Sequence, residues 1–505
     1  MKNFVEKMKN KSLKILFITS EASPFVKTGG LGDVSSALPQ TLMELGNEVR
    51  LVLPKYGAVD ERRFKIHEIV RLKDIPIHLG NEIELVSMRS CFLVGNKTKV
   101  QLYFFDNQKY FGSRKGLYQD INTKKDYPDN HERFILYAKG IMELIKKLGW
   151  TPDIIHCNDW QTGLIPAYLK TVYADLEILK DTKVIFTIHN IDFPGIFPKE
   201  VFKLTGLPES VLNEISVNDG SKISFLKAGV VYADAITTVS EKYAEELCTI
   251  DELGGLIKNT LKKRKNDFYG IINGVDYSIW NPESDKYIPA KYNAKDLQGK
   301  YENKKALLEY FKLPLDVDVP VIGTISRLSE QKGIDLIQNA IEELLSLDVK
   351  YVLLGQGDKK YQQFFEKIQK KYPKKFGFYY GFNEELAHLI EAGSDMYLMP
   401  SKYEPCGLTQ LYALKYGTIP IVRYTGGLAD TIVRLNGNDV NGTGFVFKKY
   451  EVDDMMKEIK RAIKLFQDKD TWSKLMKNAM SQDFSWYNSA KKYIDLYKKL
   501  LKDTK

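Results

Sequence analysis

Arg327 and Lys332 stand five positions apart in SRLSEQKG (Ser326–Gly333), directly after the apolar run Val321–Ile325. Two cations in a strand-to-helix connection, with helix N–H groups behind them, suit neutralisation of a doubly charged leaving group such as a diphosphate. An ordinary basic surface loop has the same residues. Glu404 lies in PSKYEPCGLTQLYALKYGTIP (Pro400–Pro420), where Pro405 and Gly407 set a turn after a strand ending at Met399. The N–H groups of Gly407, Leu408 and Thr409 are then open to phosphate oxygens, with Glu404 beside whatever they hold. Taken alone, Glu404 reads equally as a solvated acid. A third segment, KTGGLGD (Lys27–Asp33), joins the run Lys14–Thr19 to a periodic stretch from Val34. Its glycines admit close backbone approach at the positive end of a helix, which suits an anion or simply a tight turn. Its spacing matches neither GxxxxGK[ST] nor GxGxxG.

Three further strand ends carry polar groups. IIHCNDWQTGL (Ile154–Leu164) presents Asn158, Asp159 and Trp160, and VIFTIHNIDFPG (Val184–Gly195) presents His189 and Asn190. Hydroxyl partners beside an aromatic face suit a sugar ring, although Asp-Trp also serves as a helix cap and His189 as a packed histidine. IVRYTGGLADTI (Ile421–Ile432) supplies another glycine-bearing strand-to-helix turn.

These segments need a scaffold that brings strand ends together. Apolar β-branched runs alternate with longer amphipathic stretches: Lys14–Thr19, Glu48–Leu53, Val100–Phe105, Ile154–Cys157, Lys183–Ile188 and Ala235–Val239, then Val321–Ile325, Lys350–Leu354, Phe376–Tyr380, Met396–Met399 and Thr418–Val422. Helical patterns such as Arg133–Leu148, Gly333–Leu345 and Gln410–Lys415 lie between them. That alternation predicts an α/β fold of two doubly wound, helix-covered parallel sheets facing a cleft. Turn-rich INGVDYSIWNP (Ile271–Pro282) divides them, giving domains 1–275 and 276–480 and a terminal amphipathic helix over 481–505 with Trp486, Tyr493 and Leu496 on one side. In such sheets ligands sit outside the carboxyl ends of the strands.

The 505 residues exceed one ordinary core, and 44% hydrophobic with 28% charged residues describes a soluble globular protein. No apolar window reaches membrane-spanning length. The start, Met1–Ser12, lacks the apolar core of a signal peptide, which points to the cytoplasm. Cys91, Cys157, Cys248 and Cys406 form no CxxC pair, against zinc or a disulfide framework. The net charge of +9 is spread among interleaved acids, which disfavours nucleic acid as a partner.

Read together, KTGGLGDV, HCNDWQTGL, TIHN (Thr187–Asn190), INGVD (Ile271–Asp276), RLSEQKG, EPCGLTQLYALKYGTIP and TGGLADT (Thr425–Thr431) make the chain resemble the bacterial glycogen synthase and starch synthase family, from about Lys14 to Tyr497. The resemblance implies a GT-B glycosyltransferase: two Rossmann-like domains with the terminal helix crossing back to the first. It implies transfer of glucose from ADP-glucose to the non-reducing 4-OH of an α-1,4-glucan, with the anomeric configuration retained. By that carry-over Lys27, Gly29 and Gly30 approach the donor. Arg327 and Lys332 hold the diphosphate, Glu404 positions the sugar, and Cys406, Gly407, Leu408 and Thr409 contact sugar and phosphate. His189 stands near the reacting centre and Phe382 against the adenine. Asn273 is assigned to the donor, and Asp33 and Asp159 to the acceptor. Many retaining relatives carry a second Glu eight residues after the first; here that position is Tyr412.

No acidic pair stands out to hold Mg²⁺, so the reading assigns no metal and no cofactor. It favours front-face attack, with the departing phosphate oxygen accepting the acceptor's proton. Rival readings are a UDP- or GDP-sugar transferase of the same architecture and a catalytically silent glucan-binding protein. A dehydrogenase is disfavoured because neither half shows GxGxxG followed by a ribose-binding acid.

Overall fold

The structure is a computed structural model that describes residues 12–95, 97–436 and 441–502. Residues 1–11, read above for a missing apolar core, lie outside them. The chain forms two units. Of the described residues, the first holds those up to Val239, Ala244–Ile271 and Trp486–Lys502; the second holds Ser240–Tyr243 and those from Ile272 to Ser485.

In the first unit the strands are β1 (Lys14–Ile18), β2 (Glu48–Pro54), β3 (His67–Glu68), β4 (Ile75–Leu79), β5 (Glu82–Val94), β6 (Lys99–Asp106), β7 (Ile154–Asn158), β8 (Lys183–Ile188), β9 (Ile196–Pro198), β10 (Ser216–Val217), β11 (Lys222–Ser224), β12 (Ala235–Thr238) and β13 (Phe268–Gly270). β1 and β7 are near-continuous apolar runs because helices cover both faces of a parallel sheet; every residue of β7 is buried. The sheet order is β13-β12-β8-β7-β1-β2-β6-β5-β3, with β4 on β5. From β13 to β6 every neighbour is parallel. Beyond β6 the pairing turns antiparallel, an extension the sequence reading did not contain. β9, β10 and β11 form a separate small sheet.

The second unit holds β14 (Val321–Leu328), β15 (Lys350–Gly357), β16 (Phe376–Tyr380), β17 (Met396–Met399), β18 (Ile419–Arg423) and β19 (Phe445–Phe447), in the order β16-β15-β14-β17-β18-β19, all parallel. In each unit the parallel strands run outward from one central strand, first one way and then the other. The order therefore reverses between β1 and β7, and between β14 and β17. At such a switch point neighbouring loops leave in opposite directions and open a crevice. At the first switch point the register pairs Ile18 with Cys157, so the following residues emerge side by side. At the second it pairs Ile322 with Met396 and Gly323 with Tyr397, and β14 runs on to Leu328, beyond the Ile325 expected from sequence.

The sequence reading set its divisions at 275 and 480. The structure keeps both flanking segments in the second unit, where Val275 N–H donates to Phe484 O at 2.7 Å and Val275 joins the core with Ile341, Phe365 and Ile459. The last helix, Trp486–Lys502, belongs to the first unit. It buries Trp486, Tyr493 and Leu496, and Tyr497 OH lies 2.7 Å from His156 Nδ1 on β7. Among the described residues no helix is long and apolar enough to cross a membrane.

Candidate active site

At the first switch point the loop after β1 is built around a residue that sequence reasoning passed over. Glu21, buried, accepts hydrogen bonds from Thr28 N–H and Thr28 Oγ1, each at 2.6 Å, from Tyr118 OH at 2.8 Å and from Gly29 N–H at 3.3 Å. One carboxylate thus pins the backbone of the glycine turn, and its charge is offset by four donors. The helix Gly30–Glu44 starts there, and Lys27 Nζ meets Asp33 Oδ1 at 3.0 Å, both side chains about half exposed. Lys27 and Asp33 are therefore ion-paired with each other.

The glycines divide into two kinds. A Cβ on Gly32 would collide with the Cβ of Lys27, so packing alone requires that glycine. At Gly29 and Gly30 no described atom lies within 4 Å of a would-be Cβ. Gly29 is extended, at φ −162°, a conformation open to any residue. Nothing in the fold itself forbids side chains at these two positions.

Across the switch point Asp159, at φ 55°, accepts from His189 N–H at 2.7 Å. Burial pushes its pKa up to about 7 and the Glu21 carboxylate adds to the rise, while the His189 and Asn190 N–H groups oppose it. His189 Nε2 lies 2.9 Å from Asn158 Oδ1. The Asn158 amide NH₂ already donates to Ile18 O at 2.9 Å, so Oδ1 is the acceptor and Nε2 carries the ring proton. Burial lowers the His189 pKa to about 3, leaving a neutral ring with Nδ1 as an acceptor. Behind it His156, fully buried and also lowered to about 3 by burial, links Tyr497 OH to Thr187 Oγ1, 2.6 Å from its Nε2.

At the second switch point Lys332 Nζ meets Glu404 Oε2 at 2.6 Å, and Ser401 Oγ donates to the same oxygen at 3.1 Å. Glu404 is 4% exposed. The pair cancels its own charge, so the exposed Arg327 guanidinium, held through Nη2 by Gln331 Oε1 at 2.7 Å, is the cation left for an incoming anion. Close packing forms the loop. Gly333, at φ 71°, abuts the Pro400 carbonyl, and a Cβ on Gly426 or Gly427 would strike the carbonyl of Glu404 or Cys406. Gln410 Nε2 donates to Cys406 O at 3.0 Å and Gly407 O at 3.1 Å. Among the described residues the N–H groups of Gly407, Leu408 and Thr409 donate to no acceptor.

The Cys406 thiol is buried, pushed up to about 12 mainly by desolvation, and receives the Asn273 N–H; only its backbone is available to a ligand. Asn273 Oδ1 is buried without a hydrogen-bond partner among the described residues. Phe382 follows Gly381 beyond β16 and is 79% exposed. It stands two strands, roughly 10 Å, from β14. Tyr412 stacks on Trp280 at 4.0 Å between centroids, and Trp280 stacks on His388 at 3.7 Å. The position where other enzymes carry an acid is here part of an aromatic stack. Among the described residues no three His, Cys, Asp or Glu side chains gather to hold a metal ion.

Two doubly wound units with polar loops at both switch points define a GT-B glycosyltransferase. The catalytic domain of Starch Synthase IV from Arabidopsis thaliana, solved with ADP and acarbose, is 32% identical with a TM-score of 0.87, over 97% of this chain and 100% of that one. The chain belongs to the glycogen synthase and starch synthase family. The starch synthase catalytic domain matches residues 14–263 and the glycosyl transferases group 1 family matches 308–480. The glycogen synthase of Thermosipho africanus is 41% identical, covering 97% of this chain and 99% of the relative. That of Koribacter versatilis is 43% identical, covering 96% and 98%. Sucrose-phosphate synthase of Thermosynechococcus elongatus, 16% identical with a TM-score of 0.58 over 97% of this chain and 99% of that one, shares the fold.

Proposed function

We propose that this glycosyltransferase moves glucose from ADP-glucose to the non-reducing 4-OH of an α-1,4-glucan, retains the anomeric configuration and works in the cytoplasm without a metal. The observation that carries the reading is the second switch point, where unused N–H groups of Gly407–Thr409 adjoin a neutralised Lys332–Glu404 pair and the unspent charge of Arg327. As the glucosyl–phosphate bond breaks, negative charge grows on the diphosphate, and preoriented donors stabilise that state more than the bound ground state. Glu404, held on one oxygen by Lys332 and Ser401, orients the sugar. Exposed Phe382 offers a face for adenine. In the first unit Gly29 and Gly30, bare of protein neighbours, leave room for the donor. His189 offers an acceptor nitrogen to a sugar hydroxyl, and Asp159 and Asp33 serve the acceptor glucan. The starch synthase bound to ADP and acarbose supports an adenine nucleotide and an α-glucan as ligands.

Protein cations take the leaving-group role here, so activity is expected to survive EDTA. The test incubates the protein with maltooligosaccharides and either ADP-glucose or UDP-glucose, scoring chain elongation and released nucleoside diphosphate. Elongation with ADP-glucose at least tenfold faster than with UDP-glucose supports the proposal. Faster elongation with UDP-glucose, or nucleotide release without elongation, overturns it.

A further inference from the structure

We propose that a recess at the far end of the second sheet, lined by Lys300, Lys304, Asp395, Phe466, Lys469 and Trp472, binds a small phosphate-class anion. Asp395 immediately precedes β17, and its Oδ2 accepts from Val321 N–H at the first residue of β14. The recess thus sits at the amino ends of the strands whose carboxyl ends carry Arg327 and Glu404. The length of β14 separates the two sites by roughly 20 Å.

Three lysines face one carboxylate in this lining, and burial lowers the pKa of one of them, Lys300, to about 7. Lys304 Nζ is spent on Asp395 Oδ2 at 2.6 Å and Val317 O at 2.7 Å. Lys300 Nζ is spent on Thr418 Oγ1, Tyr416 O and Ala392 O at 2.7–3.1 Å. Neither amine is left as a free donor, and the field of the recess comes from Lys304 and Lys469. Glu391, which acts on Lys300, has its carboxyl pushed well above the usual range by burial. Asp318, outside the lining, also acts on Lys469.

Two donors remain. Lys469 Nζ stands 3.5 Å over the Phe466 ring with no hydrogen-bond acceptor among the described residues. Trp472, 3% exposed, has a buried Nε1 with no partner among the described residues. A buried N–H left unmade costs about 1–3 kcal/mol, and both residues line the recess, so the proposed oxyanion takes the Lys469 ammonium as its first donor and Trp472 Nε1 as its second. A compact anion with several acceptor oxygens fits point-charge lysines.

The probe is inorganic phosphate, followed by thermal unfolding and ³¹P NMR titration at ionic strength matched with sodium chloride. At a few-fold excess over Kd the unmodified protein should gain roughly 1–2 °C in Tm. Arg327→Ala, which removes the cation at the catalytic loop, should keep that gain. Lys469→Gln should lose most of it, Lys469→Arg should retain it, and Trp472→Phe, which keeps a ring but no N–H, should weaken phosphate binding in the NMR titration. Three results overturn the proposal: no phosphate effect on the unmodified protein, an equal effect on Lys469→Gln, or loss of the effect in Arg327→Ala.

Discussion

Lys332 and Glu404 form a charge pair in which removal of either partner has two separable consequences. Glu404 is 4% exposed, so Lys332→Met leaves a buried carboxylate without its cation, a loss of about 3 kcal/mol in comparable pairs. The double variant Lys332→Met with Glu404→Gln removes that penalty. Thermal melts are expected to show the single variant destabilised and the double largely restored, while both stay catalytically impaired in the elongation assay. Gly29→Ala and Gly30→Ala are expected to melt within about 2 °C of the unmodified protein, since neither added methyl meets protein, yet to lose donor affinity in kinetic titrations. Gly32→Ala should instead lose stability by steric conflict with Lys27. Residue chemistry on strand ends was legible in part: Glu404, Asp159 and His189 stand in loops after strand carboxyl ends, whereas Arg327, expected in a connection after Ile325, is the penultimate residue of β14, which runs to Leu328. Glu21 was not, because its importance comes from Tyr118, a loop residue 97 positions away, and from turn N–H groups that exist only once the loop has folded. The pairing of Lys27 with Asp33 and of Lys332 with Glu404 was equally invisible, since spacing says nothing about which charges are already spent.

At the scale of elements, helix-covered parallel strands announce themselves as continuous apolar runs, and β8, β16 and β17 match the ranges read from sequence. The hairpin of β4 and β5 does not. Ile83, Leu85, Phe92 and Val94 on β5 are exposed apolar residues, so its pattern lacks both the continuity of a central strand and the apolar-in, polar-out alternation of an edge. The terminal helix is anchored by a polar contact inside an apolar interface, Tyr497 OH to His156 Nδ1. Tyr497→Phe leaves a buried ring nitrogen without a partner, which costs about 1–3 kcal/mol. Hydrogen exchange should then show faster opening of Trp486–Lys502. Exchange unchanged from the parent protein would mean that packing alone holds the helix.

For the whole molecule, acid and base sensitivity follow from buried groups of opposite character. His156 and His189 are both lowered to about 3 by burial, against about 6.5 when unfolded. Between those values the unfolded chain binds more protons, so stability falls as pH drops from about 6.5 toward 3. Asp159 is raised to about 7 against about 3.9 unfolded. Between those values the folded state binds the extra proton, so its contribution falls as pH rises toward 7. Two histidines outweigh one aspartate below pH 6.5, and Asp159 dominates just above it. Tm plotted against pH is expected to decline on acidification, and Asp159→Asn should remove the smaller loss near neutrality and steepen the acid limb, because Asp159 opposes the two histidines between about 3.9 and 6.5.

The central claim is that protein cations and backbone N–H groups at the second switch point stabilise a departing nucleoside diphosphate. Its most direct test is the single-turnover rate of Arg327→Ala at saturating ADP-glucose and maltooligosaccharide. A fall on the order of 10²–10³ with the glucan KM unchanged is the expected result. A rate equal to that of the unmodified protein contradicts it.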